Sequence, residues 1–228
     1  MSHLVLIPGM MCDARMWGDL PLALHPLQVR HAVPVGAETM VGLARQVLDA
    51  APATFALAGL SLGGILAMEI LAQAPDRVER LALLDTNPLA ERPEVKARRQ
   101  PQIDRAMAGD LAGVMRDEMK PNYLARRDDT ALLDLCLRMA LDLGPEVFRR
   151  QSLALRDRAD RTETLRRFAG PALVLMGAAD TLCPRDRHEL MHGLMPQSRL
   201  VIVPGAGHLP PLERPLETLI SLKCWLEK

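Results

Sequence analysis

Short apolar runs alternate along the chain with stretches whose apolar residues recur every three to four positions. That is the pattern of a parallel sheet wrapped by helices. Leu4 to Ile7 reads as a buried strand ended by Pro8-Gly9, and Gln28 to Val33 as a weaker strand towards a sheet edge. From Thr39 to Ala50 the residues Val41, Leu43, Ala44, Val47 and Leu48 have helical spacing. A strand over Thr54 to Ala58 runs straight into Gly59, and a helix over Leu62 to Gln73 stops before Pro75. Arg80 to Leu84 is the next strand, with Asp85 at its carboxyl end.

The rhythm changes from about Leu89 to Phe168, a stretch rich in Arg, Asp, Leu and Met with helical periodicity and no convincing strand. It predicts a helical insertion lying over the sheet. Alternation returns with a strand at Ala172 to Met176, a helix from about Arg185 to Leu194, a strand at Arg199 to Val203 and a last helix over Pro215 to Leu226. The expected architecture is α/β, with about six mostly parallel strands flanked by helices. Residues 1–88 and 169–228 form the two halves of one core, and 89–168 form a helical cap insertion. A chain of 228 residues supports one such core with a modest insertion but hardly two enzyme domains. No internal repeat or low-complexity linker interrupts it.

Composition narrows the partners. Hydrophobic residues make up 49% and charged residues 25%, an ordinary globular balance. Lysine plus arginine equals aspartate plus glutamate at 28 each, which argues against a general binder of nucleic-acid backbones. The cysteines (Cys12, Cys136, Cys183, Cys224) are scattered, without CxxC pairs or zinc-ligand spacing, so reduced thiols and a cytoplasmic setting are expected. The apolar run at the N-terminus is too short for a signal peptide or a membrane helix, and no membrane partner is expected. The sequence requires no metal or cofactor. The expected partner is a small-molecule substrate, and oligomeric state is not legible.

The chemistry begins at Gly59-Leu60-Ser61-Leu62-Gly63, a G-x-S-x-G segment between a predicted strand and a predicted helix. A strand turning sharply into a helix forces its middle residue into a strained conformation, where bulky neighbours would clash. Such a turn presents Ser61 as a nucleophile, with the N-terminus of the following helix facing the oxygen that becomes negative in acyl transfer. A plain alternative is a turn serine that caps the helix. Serine needs a base. Of His3, His25, His31, His188, His192 and His208, only His208 lies in a loop directly after the final predicted strand; the others fall at strand starts or on helix surfaces. Two acids precede His208 in the order serine, acid, histidine. Asp180, in the loop Gly177-Ala178-Ala179-Asp180, is favoured because small neighbours leave its carboxylate room to turn. Asp85 is the alternative acid, or else a strand-end residue that caps local backbone. Two backbone N–H groups should face the oxyanion: that of Leu62, and one from Pro8-Gly9-Met10-Met11. Pro8 cannot donate, which leaves Met10 as the choice.

Four segments in order, LVLIPGMMCDARMW, FALAGLSLGGILAMEILAQAPDRVERLALLDT, LVLMGAADTLCP and GAGHLPPLERP, make the chain resemble the α/β-hydrolase superfamily over essentially its whole length. The resemblance implies a triad of Ser61, Asp180 and His208, with Met10 and Leu62 as oxyanion donors. It is similar to small capped members that include carboxylesterases, enol-lactone hydrolases and carbon–carbon bond hydrolases. Many of those carry His-Gly where Pro8-Gly9 stands here, and antiparallel strands before the first strand of this chain.

The leading expectation is therefore hydrolysis of a small carboxylic ester or thioester through an acyl-enzyme on Ser61. Carbon–carbon bond or enol-lactone hydrolysis, or elimination, with the same triad is the alternative enzyme reading. A non-catalytic binding protein on the same scaffold is the alternative of another class. Arg98-Arg99, Arg126-Arg127 and Arg149-Arg150 suggest an acidic substrate, but interspersed acids such as Asp128, Asp129 and Asp157 point to solvated helix faces. Cys12 and Cys183 read as small packed residues.

Overall fold

A computed structural model describes residues 2–227, with Lys120 as backbone only. The strands are β1 (His3–Ile7), β2 (Gln28–His31), β3 (Phe55–Leu60), β4 (Val78–Leu84), β5 (Ala172–Gly177) and β6 (Arg199–Val203). They form one sheet in the order β2-β1-β3-β4-β5-β6, and every pairing is parallel. The inner strands β3 and β5 are buried at every position, because helices cover both faces of the sheet. Edge strand β2, reduced to Gln28–His31, alternates exposed and half-buried residues, as a strand with one neighbour should.

The helices begin with α1 (Leu20–Ala23), α2 (Met40–Ala50) and α3 (Leu62–Gln73). Thr39 caps α2 by accepting the Gly42 N–H, and the helix turns Met40, Leu43, Ala44 and Val47 inward. In α3 every residue from Leu62 to Leu71 is buried, and all but Glu69, which pairs with Arg161, lack a charged side chain, so the helix packs against the sheet. Between β4 and β5 the chain is helical, through α4 (Pro93–Arg105), α5 (Leu111–Val114), α6 (Thr130–Arg156) and α7 (Thr162–Arg167). Helix α6 breaks at Gly144, whose φ of 81° admits no helix, and restarts at Pro145. Helices α8 (Arg185–Leu194), α9 (Pro210–Glu213) and α10 (Pro215–Glu227) complete the chain.

Strand order carries a functional consequence. From β1 the chain goes outward to β2 and then returns across β1 to β3. The loops after β1 and β3 therefore leave the sheet in opposite directions and open a crevice at its carboxyl edge, the usual ligand position in such sheets. Close backbone packing brings the loops together there. A Cβ on Gly63 would lie 2.1 Å from the Ile7 carbonyl oxygen, and one on Gly59 would lie 2.2 Å from the Gly63 oxygen.

Gly63→Ala should therefore cost at least ~1–3 kcal/mol, the usual penalty for overpacking a tight core. Gly193→Ala, on α8 with nothing within 4 Å of the new methyl, should be neutral or slightly stabilising. Denaturant titration of both variants checks the contrast; equal stabilities would mean the turn is not packed as described.

Candidate active site

Ser61 joins β3 to α3 with φ 56° and ψ −117°, a conformation that is strained for a side chain with a Cβ. Its surroundings hold it there. The Ser61 N–H donates to the Leu84 carbonyl at 2.9 Å, and the Thr86 hydroxyl donates to the Ser61 carbonyl at 2.7 Å. The Ser61 hydroxyl makes no capping bond to α3, so the reading of Ser61 as a helix-capping serine is not what the structure shows. Strand β3 runs two residues further than Ala58, through Gly59 to Leu60, and delivers Ser61 directly at the sheet edge.

The loop after β1 holds Met10 beside this turn. Cys12 N–H closes a turn on the Gly9 carbonyl at 3.1 Å, and the Gly9 N–H meets the Met16 sulfur at 3.4 Å. Met11, at φ 55°, gives its N–H to the Gln151 side-chain oxygen at 2.9 Å, while the Gln151 amide nitrogen donates to the Pro34 carbonyl at 2.9 Å. Gln151 is fully buried. It thus fixes a loop that lacks a histidine after β1 by reaching in from α6. Among the described residues neither the Met10 N–H nor the Leu62 N–H meets a protein acceptor; the latter opens α3, whose first amides have no partner within the helix.

His208 and Asp180 are brought together. His208 Nδ1 lies 2.9 Å from Asp180 Oδ2, and both side chains are buried. The other Asp180 oxygen accepts the N–H groups of Leu182 (2.8 Å) and Cys183 (3.2 Å). Burial alone would push the Asp180 carboxyl up. The adjoining His208 ring and these hydrogen bonds outweigh it and hold the group below the usual carboxylate value. The histidine loop is equally well fixed. Glu213 accepts the N–H groups of Gly207 (2.8 Å) and Leu209 (3.1 Å) on one oxygen and that of Ala125 (2.8 Å) on the other. The His208 N–H donates to the Tyr123 carbonyl at 2.7 Å, and the two rings stack with centroids 6.2 Å apart.

Asp85, the alternative acid, does not bond to His208. Its Oδ1 accepts the Gly177 N–H at 2.8 Å, so it caps the end of β5. Burial, and then the nearby Asp180 charge, push its carboxyl well above the usual range. Two carboxyls in the same corner are thus shifted in opposite directions, and the one held low faces the imidazole. The other expectation to amend concerns His188. Rather than lying on a helix surface, it is fully buried under Thr86, whose N–H donates to His188 Nε2 at 3.3 Å.

Ser61, His208 and Met10 line one cavity of about 400 Å³, roofed by α4, α6 and the segment around Tyr123. The arginine pairs divide. Arg149 pairs with Glu146 and Glu38, Arg150 with Glu146, and Arg126 with Asp128, all at the surface as expected. Arg98 and Arg99 instead line the cavity. Asp180, Cys183 and His208 offer donor atoms within 4.8 Å of one another, the one such group among the described residues. The carboxylate and ring already bond each other, and burial pushes the Cys183 thiol up, away from the thiolate a metal needs. Cys12 is buried and its thiol is pushed up as well, in keeping with a packed residue.

A parallel sheet whose carboxyl-edge loops gather a strained serine and a histidine–aspartate pair under a helical roof defines a hydrolase of carboxylesterase-like kind. The chain belongs to the alpha/beta hydrolase family, whose model it matches over residues 4–222. It is 28% identical over 250 residues to a pimeloyl-[acyl-carrier protein] methyl ester esterase of Klebsiella pneumoniae, covering 98% of this chain and 94% of that one. A second protein of the same name, from Cronobacter sakazakii, is 27% identical over 244 residues, covering 98% and 93%. Among solved structures, a malate-bound thermophilic esterase from Thermogutta terrifontis superposes with a TM-score of 0.89 at 28% identity, covering all of this chain and 90% of that one. An enol-lactonase from Burkholderia xenovorans has the same TM-score at 22% identity, covering all of this chain and 92% of that one, a likeness of fold. No described helix is long and apolar enough to cross a membrane.

Burial lowers the His188 pKa to about 4, while the unfolded chain titrates near 6.5. Between these values the unfolded chain binds a proton that the folded protein refuses. Stability should therefore be full above pH 6.5 and fall towards pH 4, by up to about 1.4 kcal/mol per pH unit. Denaturant titrations from pH 7 to 4 should show a shallower fall for His188→Gln; an unchanged slope would mean that His188 titrates normally.

Proposed function

We propose that the protein hydrolyses a small carboxylic ester or thioester through an acyl-enzyme on Ser61, with His208 as base and Asp180 orienting it. The observation that carries this reading is the His208–Asp180 bond at 2.9 Å, beside a cavity that His208 and Ser61 both line. With Nδ1 engaged by the carboxylate, the imidazole proton sits on Nδ1 and the lone pair on Nε2 is free to accept from a hydroxyl. As the Ser61 oxygen attacks the ester carbonyl, its proton passes to Nε2 and the carbonyl oxygen becomes an anion. The N–H groups of Met10 and Leu62 are the donors proposed for that anion. The imidazolium, stabilised by Asp180, then gives its proton to the departing alcohol or thiol. A water molecule, deprotonated by His208, releases the acid and restores Ser61.

The curated relatives named as methyl ester esterases support an ester as the substrate. Asp85 has no part in the mechanism: its carboxylate oxygen is engaged with the Gly177 N–H and not with His208.

Turnover of short-chain aryl esters should fall by ~10⁶ in Ser61→Ala and by ~10⁴ in Asp180→Asn. Asp85→Asn, which keeps an acceptor for Gly177, should stay near wild type. Steady-state rates on one ester series check all three; equal rates for wild type and Ser61→Ala would remove the serine mechanism. A larger loss for Asp85→Asn than for Asp180→Asn would exchange the acids.

A further inference from the structure

The lining of the cavity carries more positive charge than its own acids balance. Five arginines line the cavity (Arg92, Arg98, Arg99, Arg158 and Arg187) against two glutamates, Glu91 and Glu118, among the described residues, and Arg187 lies 3.7 Å from Asp186. Glu118 is already engaged with Arg105 and with Gln102, which lines the cavity too. The deep part is a trio. One oxygen of Glu91 accepts from Arg99 Nη2 at 2.5 Å and from Arg158 Nη1 at 2.8 Å, and all three side chains are at least nine-tenths buried. Two guanidiniums thus share one carboxylate, leaving one buried positive charge. Arg158 Nε is used by the Leu89 carbonyl at 2.9 Å, whereas Arg99 Nε is buried without any partner. Arg92 and Arg98 stand exposed at the mouth and have no carboxylate partner among the described residues.

A charge out of water and only half compensated is costly, as is an unmet donor beside it. Simple structural pairing would need one arginine for Glu91, not two. From these contacts we infer that the Glu91–Arg99–Arg158 trio, with Arg98 at its entrance, is a subsite for a carboxylate carried by the ester substrate. A monoanion fits the single uncompensated charge of the trio better than a phosphate monoester, which carries nearly two negative charges at neutral pH. The arginine fork matches two carboxylate oxygens. The substrate class is then the half-ester of a short dicarboxylic acid, or an ester whose alcohol part carries an acid. The apolar residues Val95, Leu155 and Ile65, which line the same cavity, suit the intervening methylenes.

The inference rests on the ester-hydrolase reading, so its test separates the two. Monomethyl glutarate and its neutral counterpart methyl pentanoate are titrated calorimetrically into Ser61→Ala protein, which binds without turnover. The acid should bind about 10–100-fold tighter, the contribution expected of hydrogen bonds to a charged group. Adding Arg99→Gln, which leaves Arg158 to balance Glu91, should remove that preference while the affinity for methyl pentanoate stays. Arg98→Gln, at an exposed position, should weaken it without risk to folding. Equal binding of acid and neutral ester would overturn the subsite, as would a preference that survives both substitutions. Competition by inorganic phosphate but not by glutarate would overturn the carboxylate assignment. Hydrolysis of neutral aryl pentanoates by the wild-type enzyme is measured alongside. Its presence with no acid preference sinks the subsite alone, and its absence sinks the ester reading.

Discussion

At the carboxyl edge of the sheet two pairs of backbone segments approach so closely that no Cβ fits between them, and the rest of the site depends on these contacts. The backbone at Gly63 rests on the Ile7 carbonyl, and a Cβ on Gly177 would lie 1.9 Å from the Gly207 oxygen. The first contact sets the strained turn at Ser61 against the loop of Met10. The second presses the loop of Asp180 against that of His208. A parallel sheet with a switch of direction between β1 and β3 provides the crevice, and glycine at these positions lets the backbones close it. The strain at Ser61 persists because Leu84 and Thr86 take up its main-chain groups.

Electrostatics then separates carboxyl groups that lie close together. Asp180 receives two backbone N–H groups and the imidazole, which hold its carboxyl below the usual range; Asp85 receives one N–H and is sealed from solvent, which pushes its carboxyl well above it. The helical segment between β4 and β5 contributes more than a roof. Gln151 fixes the loop of Met10, and Tyr123 holds the main chain of His208 while stacking on its ring. A segment that sets the cavity's lining also sets the geometry beneath it, so substitutions there can alter turnover without touching the substrate.

The sheet was legible because buried parallel strands announce themselves as short apolar runs, and α3 and α8 fall where periodicity put them, at Leu62–Gln73 and Arg185–Leu194. Ser61, Asp180 and His208 stood out because turn chemistry and position after a strand are local properties. What local pattern could not show were contacts between distant segments. Gln151 meets Met11 across 140 residues, and Arg158 meets Glu91 across 67, so neither residue carried a signal of its own. His188 read as a surface histidine because one helical turn does not reveal which face the sheet will cover. Glu213 was present in the quoted GAGHLPPLERP segment, yet its grip on the amides flanking His208 emerges only when the loop closes on it. The arginine pairs show the same limit: identical dipeptides lie at the surface at 149–150 and in the cavity at 98–99.

The account turns on whether His208 activates the Ser61 hydroxyl. Fluorophosphonate labelling followed by peptide mass spectrometry asks this directly. It should find one adduct, on Ser61, forming rapidly in wild type and very slowly in His208→Ala protein. An adduct on another residue, or labelling of Ser61 at the same rate with and without the imidazole, would contradict it.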